Sequence, residues 1–104
     1  MSEVRRILVG RGHLVSGPFF KAKWFGGRTQ VIHEDIFGVW DLISWYQGEY
    51  HLHQVTDLNH KAEHEHKINE LGMIGYIWCR TKQANRIKYR VFWGGIEVTE
   101  QENP

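Results

Sequence analysis

Two short apolar runs, residues 39–45 (VWDLISW) and 50–56 (YHLHQVT), flank a Gln47-Gly48 pair. This unit constrains the fold more than any other stretch. Strand-compatible runs around a glycine-containing turn predict a β-hairpin. Alternation sends Leu52, Gln54 and Thr56 to one face of the return strand, and His51, His53 and Val55 to the other. Pairing through the turn then sets Asp41, near the start of the first run, beside Gln54 and Thr56. An aspartate on a buried strand is costly unless it is paired or holds a metal. A carboxylate, an amide oxygen and a backbone carbonyl form a hard-oxygen set of the kind Mg²⁺ takes. An Asp41 that caps a turn or pairs with an arginine would relieve the same cost.

The rest of the chain predicts elements on both sides of this hairpin. Residues 3–9 form a short helix ending at Gly10 and Gly12. Residues 14–16 and 19–25 have strand-like aromatic content, are split by Gly17-Pro18, and lead into a Gly26-Gly27 turn. Residues 59–71 form the second helix, with Asn59 as its cap and Gly72 as its end. Residues 74–80 and 87–93 are two further strands around a polar TKQAN turn, and 95–104 reads as a frayed tail. Helix, strands, helix, strands is the order of a mixed α/β sheet.

With 104 residues, 41% of them hydrophobic and 24% charged, the chain fits one domain, 1–104, with a single core and little stability to spare. No apolar run approaches the roughly 20 residues of a membrane-spanning helix, and MSEVRRILVG lacks a signal peptide's apolar region and cleavage site. A cytoplasmic location without membrane contact is expected, the host cytoplasm if the source is viral. Cys79 stands alone, which rules out an intrachain disulfide and a multi-cysteine zinc site. It reads as a core residue, as do Trp24, Trp40, Trp45, Trp78 and Trp93.

The net charge of +1 is a cancellation. Residues 1–30 carry Arg5, Arg6, Arg11, Lys21, Lys23 and Arg28 against Glu3 alone, and residues 71–94 carry five cations, Arg80 and Lys82 among them, with no acid. Between them, residues 31–70 hold eight acids and two lysines. Two basic blocks bracketing an acidic centre suit phosphate contact on both sides of a metal-type site.

The stretch HEDIFGVWDLISWYQGEYHLHQVTDLNHKAEHEHKI resembles the PD-(D/E)XK nuclease superfamily, in the small restriction-endonuclease-like branch that includes archaeal and phage Holliday-junction resolvases. That family's signature is an aspartate, about a dozen residues, then Glu-x-Lys on the next strand and a helix. Here Asp41 takes the aspartate position, twelve residues precede Gln54, and Gln54-Val55-Thr56 takes the Glu-x-Lys position. Asp35 lies in a DIFGVWDLI phrase similar to that of phage-type members. The resemblance implies an α-β-β-β-α-β core and a Mg²⁺- or Mn²⁺-dependent DNA endonuclease, with branched DNA as the favoured substrate and a homodimer as the working form. It implies metal ligation by Asp41, Gln54, the Val55 carbonyl and Asp35, with Glu3 as a further acid from the first helix. Gln54 supplies no charge and Thr56 no cation, so Lys61 is the residue expected to replace the missing lysine. Arg5, Arg6, Arg11, Lys21, Lys23, Arg28, Arg80 and Lys82 are the expected DNA-backbone contacts. The alternative is a degenerate nuclease fold that binds nucleic acid or protein without cutting.

Seven histidines also raise a zinc reading. His60-Lys61-Ala62-Glu63-His64 matches the H-x-x-E-H pattern, whose two histidines share a helix face. A zinc peptidase needs a third ligand and a substrate cleft as well, for which a chain this short leaves little room.

Overall fold

The computed structural model describes residues 2–98. In chain order the elements are α1 (Ser2–Gly10), β1 (Leu14–Ser16), β2 (Phe19–Phe25), β3 (Arg28–Glu34), β4 (Leu42–Tyr46), β5 (Glu49–Asp57), α2 (Lys61–Glu70), β6 (Tyr76–Gln83), β7 (Arg86–Trp93) and β8 (Ile96–Glu97). Six strands make one sheet, ordered β1-β4-β5-β6-β7-β8, and β2 and β3 make a separate hairpin. Neighbours in the large sheet are antiparallel except β5 and β6, which are parallel. A parallel pair cannot be closed by a tight turn, so α2 serves as its crossover. The chain thus adopts the mixed α/β class.

Several boundaries differ from the pattern-based expectation. β4 begins at Leu42 because Val39 and Trp40 belong to a loop: Ile36 and Trp40 exchange backbone hydrogen bonds of 2.6 and 2.9 Å. Residues 28–34, which the pattern left unassigned, return along β2 because Gly26 and Gly27 both take positive φ (51° and 83°) and turn the chain tightly. α2 starts at Lys61 with His60 as its cap residue. The turn into it is held by Asp57, not Asn59: Asp57 Oδ1 accepts from the His60 backbone N (3.0 Å) and lies 2.8 Å from its ring Nδ1. Ile96 and Glu97, expected in a frayed tail, pair with Trp93 and Phe92, and Arg90 donates two 2.9 Å hydrogen bonds to Glu97. Residues 99–104 lie outside the described residues.

Alternation along β6 and β7 gives the sheet two apolar faces. Val4 and Leu8 of α1 pack with Leu42, Trp78 and Val91 on one face. Ile68 of α2 packs with Val39, Trp40, Ile77, Cys79 and Phe92 on the other. Trp40 and Trp78 are buried at these two centres, while Trp24, expected in the core, is 72% exposed because no helix covers the β2–β3 hairpin. Burial also pushes the Cys79 thiol up to about 11, as fits an inert core residue.

A polar chain threads the α1 face. Trp78 Nε1 donates to His53 Nδ1 at 3.0 Å, and His53 Nε2 lies 2.8 Å from Ser44 Oγ, which lies 2.9 Å from His13 Nδ1. An indole N–H can only donate, so His53 is neutral with its proton on Nε2. Ser44 Oγ therefore accepts from His53 and donates to His13. The chain braces β4, β5 and β6 against the segment that follows α1. Burial, reinforced by His13 and His51, pushes the His53 pKa down to about 3.

Two outcomes follow from this packing. A Cβ at residue 75 would fall 2.5 Å from the Trp40 ring and 2.8 Å from the Leu52 carbonyl oxygen. Gly75→Ala is therefore expected to cost about 1–3 kcal/mol, whereas Gly10→Ala, which meets no neighbour within 4 Å, should change urea-unfolding stability little. The second outcome concerns acid. Between the ordinary histidine pKa of 6.5 and about 3, the unfolded chain binds a proton at His53 that the folded core refuses. Stability contributed by neutral His53 is intact above pH 6.5 and falls as pH drops through that window, by up to about 1.4 kcal/mol per pH unit. Urea unfolding at pH 7.5 and pH 5 should show a smaller pH-dependent loss for His53→Gln than for the wild type.

Candidate metal centre at the Asp35–Asp41 loop

The DIFGVWD segment is a closed loop whose two ends are aspartates. Ile36 and Trp40 form its last backbone pair, and Phe37 and Gly38 make the reversal with φ of 55° and 72°. The next pair outward is Asp35 opposite Asp41, so the six-residue spacing becomes direct opposition. Lys67 of α2 donates to the Gly38 carbonyl at 3.1 Å and ties the loop to the helix.

Asp41 is only 2% exposed. Its backbone N donates to the His53 carbonyl, and its Oδ2 accepts from the Val55 N–H, both at 2.8 Å. The β4–β5 register, Leu42 opposite His53, sets Asp41 opposite Gln54 on the α2 face. Burial raises the Asp41 pKa to about 6, with the Asp35 carboxylate adding to the rise and the Val55 N–H and His33 opposing it. One Asp41 oxygen is thus held by the strand, and the other faces the neighbouring acid.

His33 closes the group from the end of β3. Its Nδ1 lies 3.3 Å from Asp35 Oδ1 and its Nε2 lies 3.4 Å from Asp41 Oδ1. One donor atom each from His33, Asp35 and Asp41 falls within 4.8 Å of the others, the one such histidine and carboxylate group among the described residues. His33 Nε2, Asp35 Oδ1 and Gln54 Oε1 are buried with no hydrogen-bond partner. Gln54 is 5% exposed and its amide nitrogen reaches the Val55 carbonyl at 3.3 Å and His64 Nε2 at 3.5 Å. His64, on α2, has its pKa lowered by burial and senses the Asp35 charge, which places it on the rim. Carboxylate, amide and imidazole donors left without partners fit a divalent cation.

The other expected site residues lie elsewhere. Thr56 is one strand step beyond Gln54 on the same face, opposite Cys79 of β6. Lys61 pairs with Glu65 and sits 4.3 Å over the Phe92 ring of β7, three strands from Asp41. Glu3 accepts a hydrogen bond from Tyr89 on the α1 face, the opposite side of the sheet. Among the cations, Lys21 and Lys23 line a shallow cleft with His33, and Arg28 sits at the turn of the same hairpin. Arg5 bonds the Gly17 carbonyl, and Arg11 lies over the Trp78 ring. Arg80 pairs across from Tyr89, and Arg80 and Lys82 alternate with Trp78 toward the α1 face. Arg6 is exposed on α1. The first basic block is thus divided, and Arg80 and Lys82 of the second lie on the face away from Asp41. His60 turns to Asp57 and His64 to Gln54, so the H-x-x-E-H pair does not converge.

Three participants escaped the pattern reading. His33 stands in β3 two residues before Asp35, just past the strand's end, a His-x-Asp spacing that in extended chain turns both side chains the same way. From α2, Lys67 reaches the loop and His64 reaches Gln54, and neither their spacing nor their type distinguishes them from their helical neighbours.

Holding Asp41 charged in this site opposes folding. A native pKa near 6 against an ordinary 3.8 corresponds to roughly 2–3 kcal/mol at pH 8. Asp41→Asn keeps an acceptor for the Val55 N–H and is expected to raise stability by that amount at pH 8. The gain should shrink as pH falls from 6 to 4, where the native aspartate takes up its proton, and thermal unfolding at both pH values checks it. No protein-family model matches the chain, and no curated protein or solved structure shows significant similarity to it.

Proposed function

We propose that this chain is a metal-dependent DNA endonuclease of restriction-endonuclease-like topology, with Asp41 as its principal metal ligand. The observation that carries the reading is the closeness of Asp35 and Asp41 beside the partnerless Gln54 oxygen, on a face where, among the described residues, the buried Asp41 carboxylate has His33 as its one ion-pair partner. The order of elements supports it: α1, then β1, β4 and β5 of the large sheet, then α2, then β6 parallel to β5. Asp41 precedes one central strand and Gln54-Val55-Thr56 lies on the next, in the arrangement the family resemblance implies.

A bound Mg²⁺ or Mn²⁺ would activate water and neutralise charge on the scissile phosphate. Asp41 Oδ1 and Asp35 would face that cation, while the Val55 N–H keeps Asp41 from rotating away. The Gln54 oxygen adds a neutral donor. His64, held neutral by burial beside Gln54, can accept a proton at a ring nitrogen. Lys67, bonded to the loop at Gly38, is the α2 cation at this site, in place of Lys61. Lys21, Lys23 and Arg28 offer a phosphate-binding arm whose contacts would be salt-dependent and sequence-independent. A homodimer acting on branched DNA in the cytoplasm belongs to the same proposal. Among the described residues, no helix is long and apolar enough to cross a membrane.

A second reading, a DNA-binding module that does not cut, draws on the uncharged Gln54 and on Lys61 being engaged with Glu65. Four-way-junction and linear DNA are incubated with Mn²⁺ and wild type or Asp41→Ala. The nuclease reading expects cleavage by the wild type and at least a hundredfold less by the variant. Salt-sensitive binding without cleavage selects the module, and equal nicking by both proteins rejects the active site.

A further inference from the structure

We propose that His33 is a nitrogen ligand of this centre, so that the site takes a borderline transition-metal ion in preference to Mg²⁺ and joins the β2–β3 hairpin to the main sheet when it does. The inference rests on the metal-site reading above and adds to it an imidazole that the family resemblance does not supply.

The geometry leads there first. First-row ions hold nitrogen and oxygen ligands at about 2.0–2.2 Å, which spaces neighbouring ligand atoms roughly 3–3.5 Å apart. His33 Nδ1 stands 3.3 Å from Asp35 Oδ1 and Nε2 3.4 Å from Asp41 Oδ1, and a single ring nitrogen, all that one ion takes from an imidazole, lies within 4.8 Å of an oxygen of each acid. His33 Nε2 and Asp35 Oδ1 are buried without a hydrogen-bond partner despite this proximity. Both atoms keep hydrogen-bonding capacity that no described neighbour takes up. A separate observation, the buried Gln54 Oε1 with no partner on the residue opposite Asp41, offers a fourth donor on the same face.

The chemistry then decides the ion. Mg²⁺ demands oxygen ligands in near-octahedral array, whereas imidazole favours later first-row ions, in the order Mn²⁺, Co²⁺, Zn²⁺. Two carboxylates balance a 2+ charge, and a neutral imidazole and amide complete the set without adding charge. His33 comes from a hairpin that shares no sheet with β4, so one ion bound to both His33 and Asp41 bridges two otherwise separate sheets. That hairpin carries Lys21, Lys23 and Arg28, and the ion would fix their position.

The test measures binding to the full chain. Calorimetry with Co²⁺ and with Mg²⁺, together with the visible absorption of bound Co²⁺, is compared for wild type, His33→Ala and Asp41→Asn. Hydrogen exchange is followed over residues 19–34 of the wild type and of His33→Ala. Co²⁺ is expected to bind at least tenfold more tightly than Mg²⁺ and to slow exchange in 19–34, which Mg²⁺ does not. His33→Ala should weaken Co²⁺ at least tenfold, leave Mg²⁺ within threefold, and abolish the exchange effect. If His33→Ala binds Co²⁺ like the wild type while Asp41→Asn loses both ions, His33 is no ligand and the nuclease centre stands without it. If both ions slow exchange in 19–34 equally, or neither does, the hairpin is not joined through His33 and the inference fails on the wild type alone. If Asp41→Asn binds both ions like the wild type, or the wild type binds neither, the metal centre itself fails and the inference with it.

Discussion

Trp40 is held between the Gly75 backbone and the α2 core, and its indole N–H reaches Met73 Sδ at 3.5 Å. That packed ring decides where the next residue can be. With Trp40 buried and paired to Ile36, Asp41 must leave the loop at the first step of β4, against Val55, and Asp35 must stand across from it. The loop's own backbone bonds close the reversal, and burial of Val39 and Trp40 anchors it. A close-packed interior resists small shifts, so the carboxylates are placed by an apolar contact on their far side.

The two faces of the sheet handle buried polarity by opposite means. On the α1 face each link in the Trp78–His53–Ser44–His13 chain matches a donor to an acceptor, and only Nε2 at its His13 end is left without a partner. Such a chain lowers the cost of burial and specifies one packing. On the α2 face a charged aspartate sits beside another acid, with neighbouring donor atoms unmatched. A structural network tends toward full satisfaction, whereas a site that binds something keeps valences free at a cost in stability. The contrast within one sheet, with His53 and Gln54 adjacent in β5 and facing opposite ways, separates the bracing role from the binding role.

Most of the elements were legible from local signals. Gln47-Gly48, Gly26-Gly27 and the alternation in 50–56 mark strand ends and faces because turns and pleats are set by neighbours in sequence. The Asp41–Gln54 juxtaposition was legible for the same reason, being one hairpin's register. What escaped depends on contacts distant in sequence. The late start of β4 follows from Trp40 packing against Gly75, and Lys61 is drawn away from Asp41 over the Phe92 ring of β7. Trp24 reads as core by type and is exposed because no helix reaches it. His33 and Lys67 join the loop only through tertiary packing, and the assignment of Glu3 to the site required knowing which face α1 covers.

The location of Asp35 alters the charge argument for the centre. Judged from the Gln54-Val55-Thr56 segment alone, the site lacks one of the two carboxylates that a nuclease core places on adjacent strands. The loop supplies a second carboxylate from the other direction, since Asp35 opposes Asp41 across the Ile36–Trp40 pair. Two acids and a neutral amide carry the same formal charge as the aspartate, glutamate and carbonyl that the proposed nuclease reading calls for, so under that reading glutamine at 54 leaves the formal charge of the centre unchanged. The second acid lies toward β3, where His33 stands, and away from β6 and β7, over which Lys61 is held by Glu65. Under the proposed reading, glutamine at 54, aspartate at 35 and histidine at 33 are one change in the position of the centre.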